Sequence, residues 1–114
     1  CLHWLVTGET LGGTVLAAEH NRLSRLEALE LYTRGSARVA GEERHKGALI
    51  PGFYGDLAVL DRDYFACPSA DIRRIESLLT VVGGRIVYAA GPYAELCPEL
   101  PPVSPAWSPV AHYG

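Results

Sequence analysis

Apolar and polar positions alternate with a helical period in the first third of the chain and with a strand period in the middle. In residues 1–8, CLHWLVTG, Leu2, Leu5 and Val6 fall on one side of a helix, and Gly8 supplies a left-handed C-terminal cap. Gly12 and Gly13 follow, so residues 8–22 are expected to be surface loop. Ser24-Arg25-Leu26-Glu27 is a capping box, in which the serine oxygen takes a free first-turn amide and the glutamate reaches back to the serine amide. The helix behind it, LEALELYT, sets Leu26, Leu29 and Thr33 on one stripe, widened by Ala28, Leu31 and Tyr32. Gly35-Ser36 is expected to break it. Ser36 then caps a second short helix through Ala40, which Gly41 ends, and residues 42–46 form a mixed-charge, solvated linker.

From residue 47 the period changes to two. Pro51-Gly52 predicts a turn, because proline presets one backbone angle and glycine accepts the positive φ of the next. Leu57-Ala58-Val59-Leu60, bracketed by Asp56 and Asp61, reads as a short strand. Ser69 is expected to start a helical turn leading into a strand near Ile75. Residues 81–87, VVGGRIV, are two apolar runs joined by Gly-Gly, the two-residue loop that suits right-twisted strands. From Gly91 onward Pro92, Pro98, Pro101, Pro102, Pro105 and Pro109 predict an extended tail, with Trp107 and Tyr113 available to pin it down.

Composition narrows the class. The 114 residues are 48% hydrophobic and 20% charged, enough for one domain with a modest core. A net charge of −3 without any basic run argues against a nucleic-acid partner. Apolar stretches are interrupted within about ten residues, short of the roughly 20 a membrane span needs, and residues 1–6 lack the basic flank and cleavage site of a signal peptide. No membrane partner is expected, and a cytoplasmic location is. Cys1 stands where methionine would open a reading frame, and the chain has no methionine, which favours a fragment of a longer protein.

Candidate chemistry is sparse. Cys1, Cys67 and Cys97 are odd in number and widely spaced, unlike a metal knuckle or disulfide framework, and read as thiols in a reducing compartment. His3 and Trp4 could line a pocket, although a packing role suits Trp4 better among its apolar neighbours. Asp61 and Asp63 form a DxD pair of the kind that can hold a divalent metal, but acidic residues just past a strand end are ordinarily turn chemistry.

The phrase KGALIPGFYGDLAVLD and the following VVGGRIVY resemble the C-terminal end of the amidohydrolase superfamily of metal-dependent hydrolases. Gly47, Pro51, Gly52, Asp56, Leu57, Val59, Leu60 and Asp61 match the first family phrase, and Val82, Gly83, Gly84, Arg85, Val87 and Tyr88 the second. Gly55 stands where the family usually has alanine, a small-for-small exchange. The opening LHWLVTGETLGGT and the ending PPVSPAWSPVA look like the long-chain branch that includes N-substituted formamide deformylase-like proteins and exoenzyme regulatory proteins.

This resemblance implies an α+β chain made of the last helices of a (β/α)8 barrel plus the C-terminal part of a small composite β-sandwich. Residues 1–44 would belong to the barrel, 45–91 to the sandwich and 92–114 to a Pro-rich tail. It implies a divalent metal, usually zinc, in the full-length protein, where it activates water for attack on a non-peptide C–N bond. The family's metal ligands, however, are an HxH pair, a midway lysine or carboxylate, two later histidines and an aspartate expected upstream of Cys1. His3, His20, His45 and His112 are isolated singles, so no catalytic residue, cofactor-binding residue or metal ligand is assigned within the chain, and no metal is expected in it. The expected partners are the remaining barrel portion of the same protein and a second copy, because half a sandwich leaves a sheet face and edge uncovered. The alternative is a stand-alone sheet module for interaction or scaffolding, without activity.

Overall fold

The computed structural model describes residues 1–99 and 107–109. Helix α1 (Leu2–Thr7) ends as its sequence requires, with Gly8 at φ 67° and its N–H donating to the Trp4 carbonyl at 2.8 Å. Gly8 has a second reason to be glycine: the loop folds back on it, and a Cβ there would lie 2.8 Å from that of Ala17. The expected loop contains a small hairpin, with Glu9 bridged to Val15, and a 3-10 turn at Glu19–Asn21. Its end is tied to α1 by the Leu23 N–H, which donates to the Leu5 carbonyl at 2.8 Å.

The capping box forms as read. Ser24 Oγ accepts from the Glu27 N–H, and Glu27 Oε2 accepts from the Ser24 N–H at 2.8 Å. Helix α2 (Arg25–Glu30) starts there, but Gly35-Ser36 does not break the run. It continues through a π-helical turn (Leu31–Gly35) into α3 (Ser36–Val39), with Gly35 right-handed at φ −61° and no cap from the Ser36 side chain. The Ser36 N–H donates to the Leu31 carbonyl, so glycine here widens the spiral without ending it. Gly41, at φ 71°, follows the end of α3 as expected. The burial of the stripe differs from its apolar pattern. Ala28 and Ala37 are buried, whereas Leu26, Leu31 and Tyr32 are more than half exposed.

The Pro51-Gly52 turn is present, with Gly52 at φ 90° and the Phe53 N–H donating to the Ile50 carbonyl. Strands β1 (Leu57–Leu60), β2 (Ser77–Val82) and β3 (Arg85–Ala89) form one antiparallel sheet in the order β1-β2-β3. Strand β1 and the Gly-Gly hairpin therefore lie side by side. Gly83 and Gly84 take φ 57° and 76°, both left-handed, as the favoured hairpin turn demands. Gly55 is less replaceable than a small-for-small exchange suggests, because a Cβ there would sit 3.1 Å from the Gly84 nitrogen. The lead-in to β2 is a 3-10 helix at Ser69–Arg74, and the strand begins at Ser77 rather than near Ile75. The residues after β3 are not extended at first. Gly91–Leu96 is a 3-10 helix held to the sheet by the Ala90 N–H, which donates to the Leu78 carbonyl at 2.8 Å. Trp107 is 82% exposed and does not pin the tail, and Tyr113 lies outside the described residues.

Pleating places Leu57, Val59, Leu79, Val81 and Ile86 on one face of the sheet, all half-buried, and leaves Ala58, Leu60, Val82 and Tyr88 exposed on the other. Among the described residues the buried apolar ones are Ala28, Ala37, Tyr64, Ile72 and Ala89, mostly small. The chain exposes 8567 Å², where a compact protein of its mass exposes about 6,100 Å².

Candidate functional site

The densest polar cluster joins the start of α2 to the loop after β1. Arg25 lies in the first helical turn, so its guanidinium can reach away from the helix. It donates to the carbonyls of Tyr64 and Cys67 and to Ser69 Oγ, and sits 5.9 Å from the Tyr64 ring centroid. Tyr64 returns the contact, its hydroxyl donating to the Arg25 carbonyl at 3.0 Å, and burial pushes the phenol pKa up. Both terminal guanidinium nitrogens of Arg25 are spent on protein acceptors, which makes the cluster a clamp between segments rather than a reaction centre. Nothing local in the sequence marks Arg25 for this, since its partners are 39 to 44 residues away.

Asp61 and Asp63 are likewise occupied. Arg62 Nη2 lies 2.6 Å from Asp61 Oδ2, the Glu76 N–H donates to Asp61 Oδ1, and these contacts, Arg62 first, hold the carboxyl below its usual range. Asp63 Oδ1 accepts from the N–H groups of Phe65 and Ala66 and so shapes the turn. His3 is on α1, His20 in a 3-10 turn and His45 in the linker, while His112 is outside the described residues. Among the described residues no three His, Cys, Asp or Glu side chains converge as a metal site. Among the described residues the donors do not fit the divalent metal that the resemblance implies. Cys1, Cys67 and Cys97 are free thiols.

Two concavities stand out among the described residues. A groove of about 420 Å³ runs between Glu30, Arg34 and Arg38 on the helix and Lys46, Ile50 and Phe53 on the loop that crosses it. Its charges are mixed, and Lys46 is bound to Glu42, which raises the ammonium pKa. A second cleft, of about 380 Å³, lies beside α1 and is lined by His3, Trp4, Glu9, Leu11 and Arg73. Both α1 residues line it, so the packing role expected of Trp4 is not what the structure shows. His3 is 93% buried, being 7% exposed, while Trp4 is 40% exposed and lines the cleft wall. The helical period alone could have placed His3 inward beside Leu2 and Val6. Arg73, brought in from the 3-10 helix before β2, could not have been anticipated.

Residues 1–88 match the amidohydrolase family. The chain belongs to that family. It is 40% identical over 62 residues to the Bacillus subtilis (strain 168) amidohydrolase YtcJ, covering 54% of this chain and 12% of that protein. It is 32% identical over 83 residues to the N-substituted formamide deformylase of Arthrobacter pascens, covering 73% of this chain and 15% of that protein. The chain thus aligns with only a small fraction of the length of these relatives. No solved structure matches it. Among the described residues no helix is long and apolar enough to cross a membrane.

Proposed function

We propose that these residues are the C-terminal, non-catalytic share of a metal-dependent hydrolase acting on non-peptide C–N bonds, as the name N-substituted formamide deformylase suggests for one relative. In this reading residues 1–44 complete a (β/α)8 barrel, 45–91 complete a composite β-sandwich and 92–114 form the tail. A divalent metal, zinc by preference, is held by residues elsewhere in the protein. The observation that carries the proposal is the uncovered sheet in a chain of this family. Five apolar residues on one face are only half-buried, and four residues on the other are exposed, so the sheet needs more protein than it has. Partners are accordingly the rest of the same polypeptide and, for the isolated chain, a second copy. Three free thiols suit a cytoplasmic setting.

The test compares the complete gene product with residues 1–114 alone, following formate release from an N-alkyl formamide. Hydrolysis is expected only from the complete protein, lost on treatment with a chelator and restored by zinc. Turnover by the 114 residues alone, or a complete protein indifferent to chelation, would overturn the proposal.

A further inference from the structure

The cleft beside α1 combines groups that the rest of the fold leaves unused. Its volume, about 380 Å³, is that of a small-ligand pocket. His3 is 7% exposed and lines the cleft, yet among the described residues none hydrogen-bonds its imidazole and no unpartnered ring nitrogen is sealed from solvent. Arg73 spends one guanidinium N–H on the Leu11 carbonyl at 3.3 Å and keeps the others. Glu9 lines the same cleft, and among the described residues neither it nor Arg73 forms an ion pair. Two opposite charges share one small concavity without meeting, beside an apolar wall of Trp4 and Leu11.

We propose that this cleft binds the zwitterion of an apolar or aromatic α-amino acid. The ligand carboxylate takes the free guanidinium N–H groups of Arg73 and the imidazole of His3. Its ammonium group faces Glu9, and its side chain lies on Trp4 and Leu11. Such a ligand satisfies both charges at once, which neither a simple anion nor a simple cation does. The assignment is independent of which bond the full protein hydrolyses.

Calorimetric titration of the complete gene product with L-phenylalanine, N-acetyl-phenylalanine and phenylalaninamide tests it. Phenylalanine is expected to bind saturably and more tightly than either blocked form. Glu9→Gln should weaken phenylalanine about tenfold and leave N-acetyl-phenylalanine unchanged, while Arg73→Gln should weaken phenylalanine about tenfold and leave phenylalaninamide unchanged, each losing one charge-assisted contact. Both variants should retain the parent's hydrolase rate, which keeps this result separate from that of the proposed activity. Absence of saturable phenylalanine binding, or variants that bind all three compounds like the parent, would overturn the site.

Discussion

Glu27 and Asp61 each serve as an acceptor fixed by its neighbours, and both have carboxyl pKa values held low, Glu27 first by the Ser24 hydroxyl and Asp61 first by Arg62. A carboxyl that is more acidic folded than unfolded adds stability above its unfolded pKa. That stability disappears as pH falls through the lower, folded value. Thermal unfolding midpoints should therefore hold near neutrality and decline below about pH 4.5. The decline should be shallower in a Glu27→Gln, Asp61→Asn double variant, and parallel curves for the two proteins would contradict the assignment. These two residues also mark the range at which sequence is readable. Ser24 and Glu27 are three apart, so their pairing is visible as a string. The Arg25 clamp and the arrival of Arg73 beside His3 depend on chain returns of roughly 40 to 70 residues, which no local pattern encodes.

Among elements, the hairpin was legible because only a few dipeptides tolerate two successive left-handed residues. Gly83 and Gly84 have open space where a Cβ would stand, so any cost of substitution is conformational rather than steric. Gly83→Asn should be nearly neutral, since Asn-Gly suits the same turn. Gly84→Val should lower stability by about 1–2 kcal/mol, measured from the urea midpoint. Equal effects of the two would show that the turn is not left-handed at both positions. The π-helical turn and the 3-10 helix at Gly91–Leu96 were not legible for opposite reasons. Gly35 carries the signature of a helix end but is held in the run by the segments around it. Pro92 carries the signature of extended chain but sits at the start of a 3-10 helix, where its missing N–H costs nothing.

For the whole molecule, the uncovered sheet sets the solution behaviour. Strand β1 is an edge of four uncharged residues without proline, and the exposed Leu60, Val82 and Tyr88 add apolar surface beside it. Sedimentation of residues 1–114 alone should show a dimer or larger species at micromolar concentration. A lone monomer at high concentration would mean that the sheet tolerates water. The attachment of the sheet to the helical part has its own consequence. Arg25 grips the loop after β1, and twelve residues along the same helical run the chain leading to β1 presses so close that a Cβ on Gly47 would lie 3.0 Å from that of Ala37 and 3.1 Å from Arg34 Cα. Two rivets about 18 Å apart on one rod leave no pivot between the halves. Any swing of the complete protein about this region must carry the rod and the sheet together, with its hinge outside residues 25–89.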